Sequence, residues 1–343
     1  MPAHRYAQDD LTEAIGDLCL APGADRAVLR RLHASAGVRT RHLALPIERY
    51  AGLGDFGRSN DAWMAAGLDL GEEAVGGALR AAGLEPADVD LLVCTSITGI
   101  AAPSLDARLA GRLGLRPDVK RLPVFGLGCV AGAAGLARLH DYLRGHPYDT
   151  AVLLSVELCS LTLQRRDDSR ANLVAGALFG DGAAALVARG RGAGPGAAAG
   201  PSVVATRSRL YPDTERLLGW DIGACGFRVV IDAGVPDVVR GHFGRHLSAF
   251  LAEHGLTIAD IGTWVCHPGG PKVLAAVADA LDLPGGALDT ARHSLATVGN
   301  MSSASVLHIL QTVRDTSRPE PGTWGLVLAM GPGFCSELVL LRW

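Results

Sequence analysis

The stretch "GLEPADVDLLVCTS", residues 83–96, returns 172 residues later as "GLTIADIGTWVCHP", residues 255–268. Each copy has a glycine that stops a helix, an Asp-containing turn, and a strand ending in Val-Cys. A second pair lies at nearly the same offset. "GLGCVAGAAGL" (126–136) corresponds to "TVGNMSSASVL" (297–307), each a tight glycine turn followed by small residues and a helix, with Cys129 matched to Asn300. One plan used twice implies two related halves. The connector is "GRGAGPGAAAGP" (190–201), too rich in Gly, Ala and Pro for a core element. The halves are therefore placed at 1–190, carrying Cys129, and 201–343, carrying His267 and Asn300.

Within each half, strand-like runs such as "DLLVCTS", "TAVLLSVE" and "AAALVA" alternate with amphipathic helices such as "GLDLGEEAVGGALRAAG". Strands apolar on both faces need a helical layer on each side. The expectation is a layered α/β fold with pseudo-twofold symmetry.

At 343 residues and 48% hydrophobic, the chain can bury one large core or two packed ones. Its net charge of −3, with Lys and Arg scattered, gives no electrostatic footprint for nucleic acid or an anionic membrane. The N-terminus lacks the basic start and apolar core of a signal peptide, and no apolar run is long enough to span a bilayer. The protein reads as cytoplasmic, with a small-molecule substrate. Seven cysteines without a CxxC pair indicate neither a disulfide framework nor a zinc site, so most should be inert buried thiols.

Cys129 is the exception. Leu136, Leu139 and Leu143 follow it at helical spacing, which puts the thiol at the first turn of a buried helix, where free N–H groups and the helix dipole favour a thiolate. His267 follows the strand "TWVC" and precedes "PGGP", whose Pro271 suits a helix start. Asn300 occupies in half two the turn that Cys129 occupies in half one, so the symmetry brings both turns towards the axis. A nucleophile, a base that ion-pairs with it and an amide donor are the parts of an acyl-transfer site.

With "GCVAGAAG", "ELCSLT", "ALFGDGAAA", "CHPGGPKVL", "GNMSSASVL" and "GPGF" in this order and spacing, the chain resembles the type III polyketide synthases, the chalcone-synthase-like enzymes of the thiolase superfamily. The likeness runs from about "GVRTRHLALP" to the end. It implies a thiolase-like α/β/α/β/α sandwich, a homodimer, and an acyltransferase whose substrates are an acyl-CoA starter and malonyl-CoA, with no metal and no further cofactor. Cys129 would carry the chain as a thioester, while His267 and Asn300 would stabilise the enolate formed when malonyl-CoA loses CO₂. Phe179 would be the gate between the pantetheine tunnel and the cavity, and Arg31 would meet CoA phosphates.

The chain departs from the plant pattern in the cavity wall. Val229 aligns with an aromatic gatekeeper and Cys159 with a common threonine, whereas Thr162 is retained. Trp220 aligns with a small residue of plant enzymes, and its "GWD" resembles bacterial alkylpyrone and alkylresorcinol synthases. A fatty or medium-chain starter and a pyrone or resorcinol product are therefore expected. Ala102 stands where a plant methionine reaches into the partner's cavity. Asp181, flanked by glycines, reads as a turn residue holding backbone N–H groups. Two rival expectations are a single condensation of the ketoacyl synthase III kind, and a non-catalytic scaffold.

Overall fold

A computed structural model describes residues 1–194 and 200–343. Residues 195–199 of the expected connector lie outside the described residues.

The chain opens with β1 (His4–Ala7), α1 (Gln8–Cys19), α2 (Ala27–Ser35) and β2 (Thr40–Leu43), and β2 pairs antiparallel with β1. Next come α3 (Phe56–Ala82), β3 (Leu91–Thr95), α4 (Leu105–Leu113), β4 (Lys120–Val124), α5 (Ala131–Gly145), β5 (Thr150–Leu158), α6 (Arg170–Leu178) and β6 (Asp181–Arg189). Beyond the connector follow β7 (Ser202–Leu210), the hairpin β8 (Leu218–Gly223) and β9 (Gly226–Ile231), α7 (Val235–Ala252), β10 (Ile261–Cys266), α8 (Pro271–Leu281), α9 (Asp289–Val298), α10 (Ser303–Thr312), β11 (Trp324–Gly331) and β12 (Cys335–Arg342).

Two four-stranded mixed sheets form, in the orders β4-β3-β5-β6 and β10-β11-β12-β7. The repeated stretch supplies β3 in one and β10 in the other. Each is parallel to a strand that follows a central helix, β5 after α5 and β11 after α10, and each of those turns back antiparallel, into β6 and β12. The paired turns thus become α5 and α10, and both helices contact both sheets as a shared middle layer. Outside it, α3 and α4 cover the first sheet, and α9 packs on β10 of the second. This is the layered sandwich expected from the pattern.

Burial explains the composition of these elements. All nine residues of β5 and all five of β3 are buried, as strands between two helical layers must be. The small residues of α5 let it sit between two sheets: Ala131 to Ala137 are all buried, as are Leu139 and Leu143. The largest apolar cluster draws Val93, Leu136 and Leu153 from one half and Val265, Val306 and Leu338 from the other, so the halves share a core.

One helix is longer than its pattern suggested. The apolar face of "GLDLGEEAVGGALRAAG" continues back to Phe56, where the Asp55 side chain caps the helix by accepting from the Arg58 N–H at 2.9 Å. Of the seven cysteines, expected to be mostly buried, Cys225 lies exposed in the β8–β9 turn, while Cys94 and Cys266 are buried. No helix among the described residues is long and apolar enough to cross a membrane.

Candidate active site

Cys129 sits in a short 3₁₀ turn, Gly128–Val130, that runs directly into α5. Its thiol borders a cavity of about 390 Å³, mouth included, lined also by Ile97, Thr98, Cys159, Phe179, Trp220, Val229 and Ser302. The lining is almost wholly apolar.

The second half reaches this cavity through the turn before α10. Asn300 pairs with Phe179 in a short parallel bridge: Gly180 N–H donates to the Asn300 carbonyl at 3.0 Å, and Asn300 N–H donates to the Leu178 carbonyl at 2.9 Å. The Asn300 side-chain oxygen accepts from the Ser302 N–H at 2.8 Å. With the oxygen so occupied, the amide NH₂ is left as the donor. Ser302, held at φ 47°, turns its otherwise unpartnered hydroxyl against the Cys129 thiol.

His267 begins the loop after β10, its N–H donating to the Leu328 carbonyl of β11 at 2.9 Å. It is 3% exposed, and neither ring nitrogen has a hydrogen-bond partner among the described residues. An imidazole buried without partners is destabilising, and such groups concentrate where a ligand completes the bonding.

Electrostatics at the site is dominated by burial. It pushes the Cys129 thiol up to about 12, against the pull of Ser302 and its own backbone N–H, and it drives His267 down to about 3. Neither group ionises readily alone. In both cases burial is the largest cause, because it disfavours the charged form of each group.

The two wall positions that depart from the plant pattern face each other. Trp220 and Val229 are direct cross-strand partners in the β8–β9 hairpin, and both line the cavity. Side chains directly opposite on a pleated pair share one face. An aromatic at 220 and a small residue at 229 therefore move bulk from one strand to its neighbour. The Trp220 indole N–H donates to the Ile97 carbonyl at 3.0 Å, and its ring packs on Phe227, with centroids 6.0 Å apart.

Other expected residues lie elsewhere. Thr162 does not line the cavity; it closes the 3₁₀ turn Cys159–Thr162 by donating from its hydroxyl to the Cys159 carbonyl at 2.8 Å. Arg31, on α2, borders a separate open depression with Asp168 and Arg170. Ala102 is exposed. Asp181 is structural as read: it accepts from the N–H groups of Ala44 (2.6 Å) and Ser160 (2.8 Å) and from the Ser160 hydroxyl. Sequence reasoning passed over Ser302, although it lies inside the quoted "GNMSSAS", and Ile97 and Thr98, which carried no chemical signal.

A thiolase-like sandwich whose buried thiol opens a central helix, with a buried imidazole after β10 and an oriented amide in the turn before α10, defines an acyl-condensing enzyme. The chain belongs to the chalcone and stilbene synthase family, the type III polyketide synthases: residues 19–195 match the family's N-terminal domain and 202–343 its C-terminal domain. It is similar to a 1,3,6,8-tetrahydroxynaphthalene synthase of Streptomyces peucetius subsp. caesius, 75% identical over 343 residues, covering 100% of this chain and 91% of the relative. A putative chalcone synthase of Bacillus subtilis (strain 168) is 34% identical, over 89% of this chain and 86% of the relative. Among solved structures, the 1,3,6,8-tetrahydroxynaphthalene synthase of Streptomyces coelicolor A3(2) superposes with a TM-score of 0.93 at 31% identity, covering 100% and 96% of the two chains.

Proposed function

We propose that the protein builds 1,3,6,8-tetrahydroxynaphthalene from malonyl-CoA alone, with Cys129 as the acyl carrier. The 75% identity to a synthase of that name, across the whole of this chain, is the observation that carries the reading. Ten ring carbons correspond to five malonyl units that each lose one CO₂. A compact cavity walled by Trp220 suits a short starter growing into a folded chain better than a fatty tail.

In this reading the thiol of Cys129 attacks a CoA thioester while His267 takes its proton, leaving an acyl-enzyme and free CoA. A further malonyl-CoA then loses CO₂, and the negative charge that develops on its thioester oxygen is met by His267 and by the Asn300 amide, whose orientation Ser302 N–H holds. The carbanion attacks the Cys129 thioester, and the lengthened chain leaves on CoA for the next round. Phe179 gates the cavity, and Cys159, Trp220 and Val229 shape it. Arg31, with Arg170 beside it, meets the phosphates of CoA, and two copies of the chain associate as a homodimer.

The test is incubation of the purified protein with malonyl-CoA alone, with products identified by mass spectrometry and the Cys129→Ala variant alongside. The naphthalene from the parent and nothing from the variant is the expected result. Products that form only when a fatty acyl-CoA is added, as pyrones or resorcinols, would replace the naphthalene reading with the one suggested by "GWD". A single-extension product would favour the ketoacyl synthase kind of reaction, and a folded protein without turnover would favour a scaffold.

A further inference from the structure

Arg41 is one of the largest side chains buried almost completely, at 2% exposure, and the mechanism above does not use it. It lies on β2, and its Nη1 donates to the Phe179 carbonyl at 2.6 Å. Nε and Nη2 have no partner among the described residues. Asp181 acts on the guanidinium through its charge without forming an ion pair with it, and burial still lowers Arg41 to about 10. A cation kept in the interior with two unfilled donor positions is destabilising unless its place matters.

Its place is the seam between the cavity gate and the catalytic turn. Phe179 is the residue bridged to Asn300. The two neighbours of Arg41 grip the same seam from the other side: Arg39 N–H donates to the Ala296 carbonyl at 2.8 Å, and the Thr40 hydroxyl donates to the Thr297 carbonyl at 2.7 Å. Three consecutive residues thus hold the end of α9, which leads through Gly299 to Asn300, and the residue opposite it. The fit is close. A Cβ on Gly180 or Gly299 would lie 3.3 or 3.5 Å from the Arg41 Cβ.

We propose that Arg41 is a positioning residue for the condensation: through the Phe179 carbonyl it fixes the Phe179–Asn300 bridge, and so the direction in which the Asn300 amide points. The proposal rests on the oxyanion role given to Asn300 above. Removing Arg41 frees the Phe179 peptide to rotate, and the bridge that carries Asn300 moves with it. The thiol of Cys129 lies on a different turn, opening α5, and meets this segment only at the Ser302 hydroxyl, so it is disturbed far less.

Three variants and two readouts test this. Malonyl-CoA decarboxylation, followed as CO₂ release, reports on Asn300. The rate at which iodoacetamide alkylates Cys129, followed by peptide mass spectrometry, reports on the thiol and its surroundings. Arg41→Gln should decarboxylate about 100-fold more slowly, the loss typical of a displaced catalytic group, with KM for malonyl-CoA nearly unchanged and Cys129 alkylated at the parental rate. Arg41→Lys keeps the cation and its N–H donors on a shorter reach, and should decarboxylate about tenfold more slowly, again with normal alkylation. Should Arg41→Gln not fold, this selective loss in Arg41→Lys decides the matter alone. Parental decarboxylation in either folded variant, or equal losses in decarboxylation and alkylation, would overturn the proposal. Asn300→Ala separates the two layers of argument: if it decarboxylates like the parent, the oxyanion role fails; if it is impaired while Arg41→Gln is not, only the positioning role fails.

Discussion

Gly132 lies where α5 packs closely on α10, and replacing it by alanine should weaken catalysis far more than stability. A Cβ at this position would lie 2.2 Å from the Ser303 carbonyl oxygen and 2.6 Å from Val306 Cγ1. Ordinary contact begins at 3.4 Å, so α5 and α10 must part by about 1.2 Å or bend to accommodate one methyl group. Overpacking of this kind costs about 1–3 kcal/mol. Alanine returns roughly 1 kcal/mol through its better helix propensity, which leaves a net loss of about 0–2 kcal/mol and a melting temperature lower by only a few degrees. The effect on the reaction is larger, because Cys129 stands three residues before Gly132 and Ser302 one residue before Ser303. A displacement near 1 Å between reacting groups lowers rates about 100-fold. Malonyl-CoA turnover and scanning calorimetry of Gly132→Ala measure both quantities. Gly145→Ala, at the far end of the same helix where a Cβ meets nothing within 4 Å, is the control. Parental turnover in Gly132→Ala would show that the approach of the two helices does not set the site.

Trp220→Gly should open the cavity beside Val229 and release the bond to the Ile97 carbonyl, raising kcat/KM for longer acyl-CoA starters. At about 0.8 kcal/mol per buried methylene, two or three methylenes accommodated amount to roughly a tenfold gain or more. Val229→Phe should have the opposite effect, and unchanged profiles in both variants would mean that the hairpin does not select the starter. Acid stability offers a separate check through His33, whose Nδ1 lies 2.8 Å from the Thr12 hydroxyl and which burial lowers to about 4. The unfolded chain binds a proton at His33 between about pH 6.5 and pH 4 that the folded chain does not, so this contribution is complete above pH 6.5 and is lost as the pH falls through that window. The melting temperature should fall from pH 7.5 to pH 5 by more in the parent than in His33→Gln; equal falls would assign the acid sensitivity to other groups.

The sequence disclosed what depends on repetition and periodicity. The recurrence of "LLVCTS" as "TWVCHP" placed β3 and β10 at matching positions of two sheets, and the paired glycine turns became the starts of α5 and α10. Cys129, Cys159, Phe179, Trp220 and Val229 gather in one cavity because each lies at an element end or on the hairpin that faces it. Contacts between distant segments were not legible. That Trp220 and Val229 are direct partners depends on the register set by the Gly223–Gly226 turn, and a slip of one residue would have sent one of them outward. Thr162 shows the limit of carrying positions over one at a time: it stands in the quoted motif in the chain, yet the local turn points its hydroxyl back at the Cys159 carbonyl, away from the cavity.

Arg41 illustrates why such a residue leaves no trace in a pattern. It sits in "GVRTRHLALP" among three basic residues, where charge alone suggests a solvated surface, yet β2 alternates between half-buried and buried positions and Arg41 falls on a buried one. Its partner is a backbone carbonyl 138 residues away, and a carbonyl has no sequence signature. The same holds for the Ser302 N–H that orients Asn300. The groups that react can be found from residue type and spacing because chemistry demands particular side chains. The groups that aim them act through main-chain atoms common to every residue, so their identity follows only from which segments the fold presses together at the seam of its two halves.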